Sequence, residues 1–107
     1  MIEVRQTTLF REWLDSLADQ RAAARIAQRI VRLQAGLIGD ARPVGDGVSE
    51  LRVDYGPGYR VYYVNRDEVF VLLLCGGDKS SQADDIRRAK EIAANIRKED
   101  LEPWQSS

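Results

Sequence analysis

Three cations in this 107-residue sequence are placed where they could bind a phosphate chain. Arg52 and Arg60 each belong to a strand-like run, and Lys79 closely follows the apolar run at 69–75. The planar guanidinium of arginine binds two oxygens of a phosphate, whereas lysine supplies a compact point charge. Together they predict a phosphate site on a small sheet.

Lys79 lies at a predicted junction between a strand and a helix. Gly76-Gly77-Asp78 precedes it, and Ser81 with Asp84 matches the S-x-x-D pattern of a helix start. Backbone N–H groups at a helix N-terminus favour a bound anion, so Lys79 is suited to bind phosphate or to act as a base. The alternative is a solvated lysine, or one paired with a neighbouring aspartate. Gly76 and Gly77 are expected to let the backbone turn close to a ligand.

Arg52 and Arg60 flank the turn signal Gly56-Pro57-Gly58. If the hairpin pairs position 52 with position 60, both guanidinium groups leave the same face of the sheet. Two adjacent cations repel unless an anion lies between them, and a scissile phosphate would serve. Alternatively, Arg52 pairs with Glu50 or Asp54 and Arg60 pairs with Asp54, and a one-residue shift in register would separate the two arginines.

The tyrosines of the predicted strand at 59–65 lie on two different faces. Tyr62 is two residues from Arg60, so it shares the face of Arg60 and could stack on a base or orient a ribose. Tyr59 and Tyr63 lie on the opposite face of the strand and are expected in the core.

Four arginines form a stripe on the predicted second helix, opposite its apolar face. A charged stripe at helical spacing is either a solvated surface or a contact for RNA or for an acidic protein segment. The stripe consists of Arg21, Arg25, Arg29 and Arg32.

Composition limits the function classes. The chain has no histidine, which removes the commonest metal ligand and general base, and its one cysteine excludes an internal disulfide and fits a reducing cytoplasm. No apolar run approaches the length of a membrane span. The formal net charge is −1; without the three carboxylates at 99–102, 16 basic residues face 14 acidic ones, a net charge of +2.

Hydrophobic periodicity predicts one domain at 1–98, followed by an acidic tail at 99–107 that is extended or mobile. A short strand at 2–6 precedes a helix capped by Thr7 or Thr8 and a second helix that begins at Asp19 and ends at Gly36 or Gly39. Residues 40–47 are predicted to form a loop. Three strands follow, the last of them central and buried on both faces, and then a final helix. The fold class is therefore α+β, with the order β-α-α-β-β-β-α and a mostly antiparallel sheet.

Several segments resemble the RelE/ParE superfamily of type II toxin–antitoxin toxins, in particular its HigB-like branch of addiction-module killer proteins. They are Phe10-Arg11-Glu12-Trp13-Leu14, Glu50-Leu51-Arg52, Gly58-Tyr59-Arg60-Val61-Tyr62-Tyr63 and Leu73-Leu74-Cys75-Gly76-Gly77-Asp78-Lys79-Ser80. The resemblance spans most of the chain and implies a RelE-like fold.

The resemblance implies a cytoplasmic toxin that cleaves mRNA on the ribosome, without metal or other cofactor. Arg52 and Arg60 would clamp the phosphate, Lys79 would be the base or charge stabiliser, and Tyr62 would be an acid or a base-stacking residue. A separately encoded antitoxin is the implied partner. Two alternatives stay open: a ParE-like inhibitor that binds DNA gyrase, and a remnant that binds antitoxin without activity.

Overall fold

A computed structural model describes residues 2–67 and 69–104, except for the side chain of residue 98. The α-helices are α1 Thr8–Ser16, α2 Gln20–Gln34 and α3 Gln82–Asn95, and two short 3-10 turns span Lys79–Ser81 and Lys98–Asp100. The strands are β1 Glu3–Gln6, β2 Ala41–Gly45, β3 Val48–Val53, β4 Tyr59–Arg66, β5 Phe70–Asp78 and β6 Glu102–Pro103.

The strands form one sheet in the order β2-β3-β4-β5-β1-β6. Only the β1–β5 pair is parallel among the pairs in this part of the chain. The predicted α+β class and the mostly antiparallel sheet are therefore confirmed. The predicted central position of β5 is also confirmed, because β5 lies between β4 and β1 and is buried along most of its length.

Each face of the sheet packs against helices. On one face, Phe10 of α1 and Ile26 of α2 pack in a buried cluster with Leu51, Tyr63 and other strand residues. The opposite face holds a second cluster, in which strand residues such as Tyr62 pack against α3. These two clusters fix the sheet between α1 and α2 on one side and α3 on the other.

Local capping explains where α1 and α2 begin and where α2 ends. The Thr7 hydroxyl accepts a hydrogen bond from the Phe10 N–H, and the Asp19 carboxylate accepts from the N–H groups of Arg21 and Ala22. Gly36 follows α2 with φ +86°, a conformation that glycine adopts without steric cost. These caps agree with the sequence predictions.

The predicted loop at 40–47 is wrong, because β2 occupies most of it. β2 and β3 form a hairpin around Asp46-Gly47, and both turn residues have positive φ, 56° and 78°. Asp-Gly between strands is a strong hairpin signal. However, apolar and polar residues alternate only weakly in β2, and Pro43 further obscures the strand pattern.

The C-terminal residues pack more closely than an acidic tail would suggest. Leu101 and Trp104 are buried, and β6 pairs with β1 at one edge of the sheet. Two apolar side chains therefore anchor 101–104, and the extended alternative of the prediction agrees with β6. Positions 105–107 lie outside the described residues.

Within residues 2–67 and 69–104, no helix has the length and apolar character needed to cross a membrane.

Candidate functional site

Arg52 and Arg60 are directly opposite each other on β3 and β4. This is the predicted register, and it places both side chains on the face of the sheet that carries α3. A surface cleft of about 320 Å³ forms at this end of the hairpin. Its walls include all three predicted cations together with Asp40, Val53, Asp54, Gly58 and Tyr59. Arg52, Arg60 and Lys79, the three cations singled out in the sequence, therefore line one concave surface.

Arg52 forms an ion pair at the rim of the cleft. Its Nη2 and Nε lie 3.0 and 3.2 Å from Oδ1 of Asp40, just before β2. Both side chains are about half exposed. An exposed pair of this kind contributes little to stability, so a stronger anion can displace Asp40 from the guanidinium.

Arg60 is held much more deeply, since only 11% of its side chain is exposed. Its Nη1 donates to the carbonyl oxygen of Gly58 at 3.2 Å. Its Nε lies 3.5 Å from Oε2 of Glu50 and has no hydrogen-bond partner within the described part of the chain. The guanidinium therefore lies against the inner wall of the cleft with its orientation restricted.

Glu50 is the buried acid behind this wall, with its side chain fully inaccessible. It accepts hydrogen bonds from the Tyr62 hydroxyl at 3.0 Å, from Nε2 of Gln82 at 2.9 Å and from Nε of Arg42 at 3.1 Å. Burial alone would raise the pKa of Glu50, but these hydrogen bonds outweigh it and hold the pKa below its usual value. Glu50 is thus an ionised carboxylate inside the fold.

Tyr62 has the predicted parity but not the predicted role. Its ring is fully buried beneath α3, and its hydroxyl donates to Glu50. Burial, followed by the charge of Glu50, raises the pKa of this phenol strongly. The prediction that Tyr62 stacks on a base is wrong, because α3 covers the strand position that parity alone left open. Tyr63 packs in the cluster on the opposite face, as expected.

Lys79 begins the 3-10 turn that connects β5 to α3. Asp78 caps this turn by accepting from the Ser80 N–H at 2.8 Å. Ser81 does not form the predicted capping box, since its hydroxyl donates to Asp85. No carboxylate within residues 2–67 and 69–104 forms an ion pair with Lys79.

Gly58 separates Lys79 from Arg60 on the floor of the cleft. It adopts φ +83°, and a Cβ there would lie 3.7 Å from Nη1 of Arg60 and 3.8 Å from Cβ of Lys79. Glycine therefore serves the positive φ of the turn, since a Cβ would touch Arg60 and Lys79 without overlapping them.

Gly76 and Gly77 serve packing, which corrects the prediction that they approach a ligand. A Cβ at Gly76 would lie 2.3 Å from the Trp13 ring, and a Cβ at Gly77 would lie 1.9 Å from Oδ2 of Asp85. Neither position requires positive φ. The glycine pair lets α1 and α3 approach opposite faces of β5.

The arginine stripe on α2 borders a second cleft of about 410 Å³. Arg25, Arg29 and Arg32 line it, and Arg21 does not. Arg29 donates to the carbonyl oxygen of Arg52 at 2.7 Å, so it links α2 to β3. Arg25 stacks over the Tyr55 ring, 4.8 Å from its centroid. Asp40, Val53 and Asp54 line both clefts and form the wall between them.

Sequence reasoning missed Asp40 and considered Glu50 and Asp54 only as possible ion partners of the arginines. The Glu50 side chain lies on the face of β3 that carries α3 and is fully buried there. Asp54 follows β3 directly and is an exposed carboxylate in the cleft. Asp40 could be found only by recognising β2, which brings it beside Arg52.

No three histidine, cysteine, aspartate or glutamate side chains in the described ranges are grouped to hold a metal ion. Cys75 is buried at β5, and burial raises the pKa of its thiol to about 12. This cysteine is therefore a packing residue.

Comparison with known proteins gives one informative relationship. No protein-family model matches the chain. A Haemophilus influenzae protein, itself described as uncharacterized, is 50% identical to it over 95 residues, which cover 89% of this chain and 96% of that protein. Such identity over nearly the full length of both proteins indicates common descent and a common fold. This chain and the Haemophilus influenzae protein belong to one family.

Proposed function

We propose that this protein is the toxin of a type II toxin–antitoxin system, has a RelE-like fold, and cleaves mRNA on the ribosome in the cytoplasm. The observation that carries the proposal is the convergence of Arg52, Arg60 and Lys79 on one cleft. Preorganised cations stabilise the charge that develops on a phosphate during cleavage. The sequence resemblance to HigB-like toxins supplies the substrate class and the partner, a separately encoded antitoxin.

The proposed reaction needs no added oxidant or cofactor. The ribose 2′-oxygen bonds to the neighbouring phosphorus as the bond from phosphorus to the 5′-oxygen breaks. The products are a 2′,3′-cyclic phosphate and a free 5′-hydroxyl. Arg60 and Arg52 bind the non-bridging oxygens of the phosphate. The phosphate replaces Asp40 as the ion partner of Arg52.

Because Tyr62 is buried, two other groups in the cleft are assigned to proton transfer. Asp54, as a carboxylate, accepts the proton of the 2′-hydroxyl. Lys79, as an ammonium group, stabilises the leaving 5′-oxygen and donates its proton to it. This assignment keeps Lys79 as a charge stabiliser, the second of its two expected roles, and gives Tyr62 neither the acid nor the base-stacking role expected from the sequence.

One observation favours a second function, the ParE-like inhibition of DNA gyrase by protein contact. Arg60 is largely buried and Arg52 already pairs with Asp40, so Lys79 is the most available cation of the three. Such a cleft is suited to binding an acidic protein surface as well as RNA.

Growth provides the first test of toxicity. Induced expression in a bacterium should arrest growth, and co-expression of the antitoxin encoded beside it should restore growth. An Arg60→Ala Lys79→Ala variant should be tolerated at equal soluble level, whereas Arg87→Ala, on the exposed surface of α3, should remain toxic. Normal growth with soluble wild-type protein would contradict the proposal and favour an antitoxin-binding remnant.

A further inference from the structure

Glu50 is a completely buried carboxylate that joins the elements carrying two of the three cleft cations. An ionised acid inside a protein is costly unless donors surround it, and removing one partner of a buried ion pair leaves the other uncompensated. A buried acid at this position therefore points to a role that an apolar residue could not fill.

The two carboxylate oxygens of Glu50 contact different residues. Oε1 accepts from Arg42, whose side chain is half exposed. Oε2 accepts from Tyr62 and from Gln82 and lies 3.5 Å from Nε of Arg60. One oxygen atom thus connects β4 with the first residue of α3.

These contacts reach both cations of the inner cleft. Arg60 is oriented between Oε2 of Glu50 and the carbonyl oxygen of Gly58. Gln82 begins α3 immediately after the 3-10 turn that carries Lys79. Fixing Gln82 therefore fixes the C-terminal end of that turn.

We infer that Glu50 is the positioning residue of the cleft, orienting Arg60 directly and the turn that carries Lys79 through Gln82. Its role in cleavage rests on the proposed function, whereas its effect on the two cations can be measured on the protein alone. Positioned charges stabilise a transition state only when their geometry is fixed in advance.

Nuclear magnetic resonance of the arginine Nε–H groups tests whether Arg60 is held in its buried position in the wild-type protein. The Nε–H of Arg60 should exchange with solvent at least about tenfold more slowly than that of exposed Arg52, because Arg60 is buried against Glu50. Equal exchange rates would overturn the inference. This comparison requires no variant to fold.

Three variants distinguish the contact of Glu50 with Arg60 from its contact with Gln82. Glu50→Gln should accelerate exchange at Arg60 Nε–H and shift the backbone amide signals of 79–81. Gln82→Ala should shift the signals of 79–81 and leave Arg60 Nε–H protected. Arg42→Ala, which removes an outer partner of Glu50, should change neither. Unchanged Arg60 protection in folded Glu50→Gln would overturn the positioning role.

Cleavage kinetics add a readout that general destabilisation would not produce. Glu50→Gln should lower kcat/KM for mRNA cleavage on the order of tenfold or more, because a guanidinium that is no longer held in place stabilises the charge of the transition state less well. When Glu50→Gln is added to the Arg60→Ala variant, the further loss in kcat/KM should be at least about threefold smaller, because the effects of coupled residues are not additive. Equal losses in both backgrounds would overturn the inference. If wild-type protein cleaves no mRNA, the proposed function fails, and the exchange rates still decide whether Glu50 positions Arg60.

Discussion

Arg52 and Arg60 occupy directly opposed positions on adjacent antiparallel strands, and each is drawn towards a different acid. Like charges at opposed positions destabilise a sheet. Asp40 compensates Arg52 at the surface, and Glu50 compensates Arg60 in the interior. The fold thus maintains two neighbouring cations beside an open cleft, an arrangement that a bound phosphate would stabilise further.

Lys79→Ala should slow mRNA cleavage on the order of 10²–10³-fold, because it removes a preorganised charge from the transition state. Its side chain is exposed, so the free energy of unfolding should change by less than about 0.5 kcal/mol. Single-turnover cleavage on translating ribosomes and urea unfolding provide the two measurements. Arg87→Ala is the matched surface control, and an equal loss of activity there would contradict a specific role for Lys79.

Tyr62→Phe distinguishes a structural tyrosine from a catalytic one. The variant loses the hydrogen bond from the phenol to the charged Glu50, which should lower the free energy of unfolding by about 1.5–3 kcal/mol. The cleavage rate of the folded variant should stay within about threefold of wild type, because Tyr62 does not reach the cleft and Gln82 still holds Oε2 of Glu50. A loss comparable to that of Lys79→Ala would show that the buried phenol takes part in the reaction.

Gly77→Ala should destabilise the fold by about 1–3 kcal/mol, because its methyl group would overlap the Asp85 carboxylate. Adding Asp85→Ala should recover part of this loss in thermal unfolding. The same second substitution should not rescue Gly76→Ala, whose methyl group would meet Trp13 instead. Equal rescue at both glycines would contradict the distinct contacts assigned to them.

The stability of the protein should depend on Glu50 at acidic pH. Its pKa is lower in the folded state than in the unfolded chain, so its contribution is fully present above the unfolded value of about 4.5 and is lost as the pH falls through the folded pKa. Urea unfolding from pH 6 to pH 3 should therefore show declining stability. In Glu50→Gln the decline should be shallower, with the residual slope including Asp78, whose pKa hydrogen bonds from Ser80 also lower. Parallel curves for both proteins would contradict the assignment.

The sequence was sufficient to predict the pairing of Arg52 with Arg60, because a glycine-proline turn and strand parity determine it locally. The same parity misplaced Tyr62, since it identifies a face of the sheet and not whether a helix covers that face. The contacts of Glu50 with Gln82, and of Arg52 with Asp40, join residues from separate elements. Their positions depend on how β2 and α3 pack, and single-sequence periodicity carries no information about that.

Cleavage on the ribosome, measured beside gyrase inhibition, distinguishes an RNase from a gyrase inhibitor. Wild-type protein, the Arg60→Ala Lys79→Ala variant and Arg87→Ala should each be added to purified translating ribosomes, with mRNA ends mapped by primer extension, and in parallel to DNA gyrase in a supercoiling assay. Wild type and Arg87→Ala should cut mRNA to 2′,3′-cyclic phosphate ends, the double variant should cut little, and supercoiling should be unaffected. Intact mRNA together with blocked supercoiling would contradict the RNase assignment and establish gyrase as the target.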